Sequence, residues 1–447
     1  MELELIWQLL PIVGEIQNKK VSIIFELYNK NSLVEYSIDD NTKTKVDVAL
    51  FGPTKVIINF KDEGIHSITW CVNNMLGYTH TVMISDNMNK LIFVSCDLLE
   101  ADTKLSLWND MAAELTSDKK IGVVHVGDQA YMDPVFNYCK KYIEDNNNDK
   151  ERDDDIEIYK TCFEAYGKRY CDTWMPHSNI LSNTSNYYIW DDHEITNDVV
   201  LDSIVDDTTL TISQAAVKAY KSYQQSFHVK ESFIINEYCW YKHLDSTKTT
   251  VMLAIERTSR EITLDEIFNA IRDINEKNTI NRLILCFTSA PIPVPHNNYG
   301  KSYIALKGLG KFWDSEKLDT LYESLFDWIN QQEENTKKRE VVVVGGDVHF
   351  GVNGVIRKNG LTIPVLIASP ITNQPYPDRS LASKGMKGEH IMGVNDDMIF
   401  TTISTKAKRC YGTLDLDSVP MTTNIVYSRC KYPNDVYKYL KTMAKFA

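Results

Sequence analysis

The chain reads as an α/β protein, with a small all-β sandwich ahead of a larger domain built on a parallel sheet. Three observations predict this. Up to about Asp86 the apolar runs are short, strand-like and separated by turn signals. From Leu91 onward, strand-length apolar runs alternate with helix-periodic stretches. Four of those later runs end abruptly on Cys, Asp or His, as strands do at the carboxyl edge of a parallel sheet that carries a site.

In the first part, Val21–Leu27, Lys55–Phe60, Ser67–Val72 and His80–Ile84 are the strand-like runs, with turns at Asn29-Lys30-Asn31, Asp39-Asp40-Asn41 and Gly77. His66 and His80 fall at or within strands and read as packing or surface residues. The polar break Ser85–Asn89 sets the boundary, giving a sandwich over residues 1–88 and the α/β domain over 89–447. Leu91–Ser95 is a strand ending at Cys96-Asp97, a helix covers about Lys104–Leu115, and the strand Ile121–Val126 ends at Gly127-Asp128. This strand–helix–strand unit should be parallel with a right-handed crossover, so Cys96 and Asp128 leave the sheet on one edge.

Val135–Asn186 reads as a mostly helical excursion. Its acidic middle, Glu144–Asp155, is a solvated loop, because the spacing of a calcium loop is missing. Tyr187–Trp190 is a third strand, running into Asp191-Asp192-His193-Glu194. Gln214–Phe227 is helical, Val251–Ile255 and Leu283–Phe287 are strands, and Leu318–Asn330 is an amphipathic helix. The four valines Val341–Val344 read as a strand buried on both faces. Gly345-Gly346 then lets the backbone turn and approach something closely, just before Asp347 and His349. Pro364–Ser369, Tyr411–Asp415 and Asn424–Tyr427 add strands, and Asp435–Phe446 is a closing helix.

Composition narrows the function. At 447 residues the chain exceeds one typical domain, and 43% hydrophobic content supplies a large core. A formal charge of −13 excludes a general nucleic-acid binder, which needs a basic surface. No run is long enough to span a bilayer, and Met1–Leu10 has two Glu and no basic residue, unlike a secretory signal. Nine Cys are scattered without CxxC pairs, which reads as free thiols in a reducing compartment and a cytoplasmic location.

The chemistry concentrates at four strand ends: Cys96; Asp128 to Tyr131; Asp191 to Asn197; and Asp347 with His349. Singly, a buried Cys is a small hydrophobe, an Asp after a strand is a helix cap, and a His is hydrogen-bonded structure. Jointly, carboxylates crowded on one sheet edge repel one another unless cations neutralise them, which points to a metal site.

Ser95-Cys96, GDQAY (127–131), WDDHEITND (190–198) and GGDVH (345–349) resemble the motifs of PhoD-like phosphatases, part of the calcineurin-like metallophosphoesterase superfamily. Pro11–Gly14, Ala219–Gln225, Ala368–Asn373 and Arg409–Gly412 extend the resemblance over nearly the whole chain. It implies a four-layer α/β/β/α metallophosphoesterase sandwich and hydrolysis of phosphate monoesters or diesters, as in alkaline phosphatase D. The substrate would be a small molecule or a lipid or polymer headgroup. It also implies a dinuclear metal centre, and the residue types fit one. Cys96, Tyr131, Asp128 and His349 suit Fe3+; Asp128, Asp191 or Asp192, Asn197 and Asp347 suit Ca2+, with Mg2+ or Mn2+ as substitutes. Asp128 would bridge, and Asp198 is an alternative to its neighbour Asn197.

In such a centre a metal-bridged hydroxide attacks phosphorus in line. His193 either protonates the leaving alkoxide or orients an Asp ligand. Arg257 and Arg260, after Val251–Ile255, are candidates to clamp phosphate, although Glu256-Arg257 stands where the family tends to have Asp-x-Arg, and a surface salt bridge is the alternative. Gln129 is expected to line the pocket and His125 to be structural. The rival from another class is a catalytically silent binding module on a phosphatase scaffold. Against it, every expected ligand position keeps metal-binding chemistry.

Overall fold

A computed structural model of the chain describes residues 6–101, 106–117, 120–147, 155–199, 201–227, 233–236, 239–256, 263–277, 279–289, 315–331, 338–373, 375, 386–392 and 397–429. The closing helix expected at Asp435–Phe446 lies outside the described residues, as does the centre of the acidic loop.

The amino-terminal part is all-β. Strands β1 (Trp7–Gln17), β2 (Lys20–Leu27), β3 (Val34–Ile38), β4 (Thr44–Val46), β5 (Thr54–Asn59), β6 (Gly64–Val72) and β7 (Met75–Ile84) form two antiparallel sheets, ordered β1-β2-β5 and β4-β3-β6-β7. Trp7, Phe25 and Trp70 meet edge-on between them, with centroids 5.4 and 5.2 Å apart. His80 is buried here, accepting from Trp70 Nε1 and bonding Ser182 O across to the following part of the chain. Neither sheet contains a later strand. On that ground we propose the division between Met88 and Asn89.

The remainder is the α/β/β/α sandwich. In chain order it contains β8 (Lys90–Val94), α1 (Ser106–Ser117), β9 (Ile121–Val126), α2 (Asp133–Asn147), α3 (Asp155–Trp174), α4 (Ser178–Leu181), β10 (Ser185–Ile189) and α5 (Asp207–Tyr223). Then follow β11 (Phe233–Asn236), β12 (Cys239–His243), β13 (Thr250–Ile255), α6 (Leu264–Lys277), β14 (Arg282–Phe287), α7 (Ser315–Asn330) and β15 (Glu340–Gly345). The chain goes on through β16 (Gly351–Lys358), β17 (Leu361–Ile367), β18 (Gly388–Met392), β19 (Met398–Lys406), β20 (Cys410–Asp415) and β21 (Thr422–Tyr427).

One sheet runs β10-β9-β8-β20-β21 and the other β11-β12-β13-β14-β15-β17-β16-β19-β18. Strands β8, β9 and β10 are parallel, as are β13, β14, β15 and β17. The return strands β20 and β21 join the first sheet antiparallel.

Period-two side chains sort the layers. Leu91, Phe93, Val124 and Val126 face Ile284, Cys286, Val342 and Val344 between the sheets. The opposite face of the first sheet, with Ile92 and Val123, packs on Trp108, Tyr166 and Ala219 of α1, α3 and α5. Leu285 and Val343 pack on Ile271, Leu321 and Leu325 of α6 and α7. Burial on both faces explains why β9 and β15 are almost unbroken apolar runs. The eight described cysteines are buried free thiols. No helix among the described residues is long and apolar enough to cross a membrane.

Candidate metal centre

The carboxyl ends of β8, β9 and β10 in one sheet and of β15 in the other converge. Cys96, Asp128, Asp347 and His349 all sit at positive φ, at 57°, 55°, 63° and 53°. That region costs a non-glycine residue on the order of 1 kcal/mol and persists only where surroundings enforce it. Here it turns each side chain off its strand end. Gly346 allows the two sheets to close: a Cβ there would lie 2.3 Å from Val126 O and 3.0 Å from Ser95. Gly127, at φ +87°, lies against Asp191, whose Cβ would be 2.8 Å from a Cβ on the glycine.

Glu194 fastens the loops. Fully buried, it accepts the N–H groups of Asp128 (3.3 Å), Gln129 (2.6 Å) and Asp191 (2.8 Å). The last contact completes a capping box, with Asp191 capping the short turn Asp192–Glu194. Burial pushes the Glu194 carboxyl up to about 8.

Cys96, Asp128 and His349 form one group whose ligand-type atoms all lie within 4.8 Å of one another; Asp128, Asp192 and His193 form a second, and Asp128, Asp191 and Asp347 a third. Asp128 belongs to all three. Its Oδ2 lies 3.3 Å from both Cys96 Sγ and the Tyr131 hydroxyl, while its Oδ1 is buried with no hydrogen-bond partner. Burial, with Asp192 and Asp347 adding to it and His193 opposing, raises its carboxyl to about 7. The Tyr131 hydroxyl is 3.0 Å from His349 Nε2. Burial first, then neighbouring carboxylates, raises the Cys96 thiol well above its usual range, and burial raises the Tyr131 phenol likewise. A buried carboxylate held at raised pKa among other carboxylates, with one oxygen unpartnered, is what a cation at this point would relieve, so the donor set fits bound metal.

Both Asp191 and Asp192 are brought in, each with one oxygen also taken by a backbone N–H. Asn197 differs from the rest in being exposed, with its amide donating to Asp198 Oδ2 at 3.0 Å. Arg257 and Arg260 lie outside the described residues. Gln129 corrects an expectation: it is 1% exposed and its Oε1 bonds His125 Nδ1 at 2.9 Å, so its side chain turns inward to the strand below. His125 is structural, held also by Asn186.

Asp133 was not legible as a site residue. At the start of α2 it reads as an ordinary first-turn acid. In the fold its Oδ2 accepts from His193 Nδ1 at 2.8 Å and its Oδ1 from Thr196 Oγ1 and Asn197 N. Burial disfavours the charged His193, yet Asp128, Asp133 and Asp192 outweigh it and hold the imidazole well above its usual value. The ring leans on Tyr131, centroids 4.3 Å apart.

The sequence profile of PhoD-like phosphatases matches residues 91–232. No curated protein sequence matches the chain. Among solved structures, that of PhoD superposes with a TM-score of 0.60 at 12% identity, covering 95% of this chain and 89% of the other. A purple acid phosphatase, PPD1 from yellow lupin (Lupinus luteus) seeds, gives 0.51 at 9% identity, covering 93% and 71%. Residues 91–232 are thus similar to the PhoD-like phosphatases, and the chain shares the fold of PhoD over nearly its whole length.

Proposed function

We propose that the protein is a metal-dependent hydrolase of phosphate esters acting through a dinuclear centre. The observation that carries this is Asp128, common to three groups of ligand atoms from four strand ends. Cys96, Tyr131, Asp128 and His349 would hold the ion that favours mixed donors, Fe3+. Asp128, Asp347, one or both of Asp191 and Asp192, and Asn197 would hold an oxygen-loving ion such as Ca2+. Ions held there supply Lewis acidity, making water nucleophilic at neutral pH and offsetting charge on phosphate oxygens.

The chain's own groups do the rest. Glu194 keeps the Asp128 and Asp191 loops in register. Asp133, held below the usual carboxylate range by His193 against the cost of burial, fixes the imidazole through Nδ1. That leaves Nε2 to give a proton to the leaving alkoxide. Arg257 and Arg260 follow β13 in sequence and are the proposed phosphate clamp.

Elemental analysis of protein purified without chelators, paired with hydrolysis of p-nitrophenyl and bis-(p-nitrophenyl) phosphate, tests the reading and separates monoesterase from diesterase. Absence of bound iron or divalent ion, with neither ester cleaved after metal addition, would leave the binding module as the better account.

A further inference from the structure

The segment Ala368–Asn373 is fixed to both sheet edges. Ala368 N–H donates to Gly345 O (3.0 Å), Ile371 N–H to Ser95 O (2.8 Å) and Asn373 N–H to Cys96 O (3.1 Å). Ser369 lies within it, fully buried. Its Oγ accepts the His349 N–H at 3.0 Å and lies 3.1 Å from Cys96 Sγ.

A serine hydroxyl has one proton and two acceptor sites. The His349 N–H takes one acceptor site, which leaves the proton free to point at sulfur. The other neighbours of Sγ do not supply one: Tyr131, read here as a phenolate ligand, has no proton to give, and Asp347 O, at 3.6 Å, is an acceptor. Ser95 Oγ is 3.6 Å away and donates to Ala368 O at 2.9 Å. Asp128 Oδ2, at 3.3 Å, is an acceptor for the thiol's own proton. As a ligand the sulfur is a thiolate and has no proton left to give. It then needs a donor, and Ser369 faces it.

We infer that Ser369 is a positioning residue of the metal centre, donating a hydrogen bond to the Cys96 thiolate while its oxygen holds the backbone of His349. One hydroxyl thereby ties together two ligands that arrive from different sheets. The inference rests on Cys96 acting as a ligand. A hydrogen bond to ligating sulfur withdraws charge from it, moves thiolate-to-metal charge transfer to higher energy and slows loss of the ion.

The test is a spectrophotometric titration of chelator-stripped, full-length protein with Co2+ alone, and separately with Fe3+. The proteins compared are wild type, Ser369→Ala, Ser369→Cys and Cys96→Ser. The wild type should show a charge-transfer band that Cys96→Ser abolishes. In Ser369→Ala that band should move to longer wavelength, and release of the ion to a chelator should quicken about ten-fold or more. Ser369→Cys keeps the shape with a weaker donor and should shift the band less, in the same direction; it carries the test if the alanine variant fails to fold. A Cys96-dependent band that stays put in both Ser369 variants overturns the inference and leaves the hydrolase reading standing. A wild type that binds the ions with no Cys96-dependent band removes Cys96 from the ligand set and overturns the inference with it.

Discussion

Gly346→Ala isolates the step by which two sheets make one site. Gly346 does not need its glycine for a positive φ; it needs it for room. A methyl group would sit 2.3 Å from Val126 O, where real contacts of this kind stay above 3.0 Å, and 3.0 Å from both Ser95 Cβ and Oγ. Neither neighbour is a flexible side-chain end. The end of β15 must therefore move by at least about 0.7 Å from the ends of β8 and β9. Overpacking of this kind costs about 1–3 kcal/mol, or a few °C in Tm for a chain of this size. The displacement acts one residue before Asp347, against Ser95, which adjoins Cys96, and against Val126, two residues before Asp128. Misplacing a reacting constellation by about 1 Å costs about 10²-fold in rate.

The assay is metal content and ester hydrolysis, with Gly360→Ala as the comparison. Gly360, at φ +79° between β16 and β17, has nothing within 4 Å of its would-be Cβ. That variant should lose some stability through backbone strain and keep its metals and turnover. A Gly346→Ala protein with wild-type metal stoichiometry and turnover would refute the argument that close approach of the sheets builds the centre.

Asp128→Asn should lower both bound metals and abolish hydrolysis, while the metal-free protein is no less stable, since a carboxylate disfavoured by burial is gone; unchanged metal content refutes its shared role. Asp133→Asn should cut hydrolysis about 10²-fold with metals retained. The loss should be larger for an alkyl phosphate than for a p-nitrophenyl ester, whose leaving group hardly needs a proton; equal losses would remove His193 as the acid. In metal-free protein the buried histidines should lower stability as pH falls from about 6.5 toward 4, opposed by the raised carboxyls of Asp128, Glu194 and Glu256, so the contribution of His80 is read as a difference between variants. Burial lowers His80 from 6.5 to about 4, with Ser182 O partly offsetting, so the unfolded chain takes up the proton first. His80 alone accounts for about 3 kcal/mol across that window. His125, lowered to about 4, and His177, lowered to about 3, act in the same sense. A His80→Gln variant should be more stable relative to wild type at pH 4 than at pH 6.5, and an unaltered pH profile would count against it.

Much of the fold was legible because burial on two faces leaves a plain signature. The runs at β8, β9, β13, β14 and β15 were found within one or two residues. Strands β16, β18 and β19 were missed: GVNGVIRK carries Gly and Asn, GEHIM is short and mostly exposed, and MIFTTISTK is rich in Thr and Ser. Strands β18 and β19 pair at the rim of the larger sheet, where neither alternation nor a solid apolar run is demanded, whereas β16 lies inside it with its first six residues buried, and its Gly and Asn break the apolar run. Among the candidate ligands, Cys96, Asp128, Asp191, Asp192, Asp347 and His349 stand out in the sequence through the abrupt change of chemistry at strand ends, and the fold brings them together. Asp133 and Ser369 carried no such signal, because their partners lie 20 to 273 residues away, and Glu194, though inside the Asp191–Asn197 run, gave no sign that it would hold the Asp128 loop 66 residues earlier.

From its sequence alone, this protein had the strands that lead into the site, their carboxyl ends and the residue types gathered there. Those follow from local rules: periodicity, glycine placement and the chemistry of individual side chains. Only the tertiary structure decided which atoms meet. It turned Gln129 inward, gave His193 its carboxylate and aimed the Ser369 hydroxyl at sulfur. Hydrogen bonds act over about 3 Å and are directional, so they depend on how two sheets close on each other, which no single stretch of chain encodes.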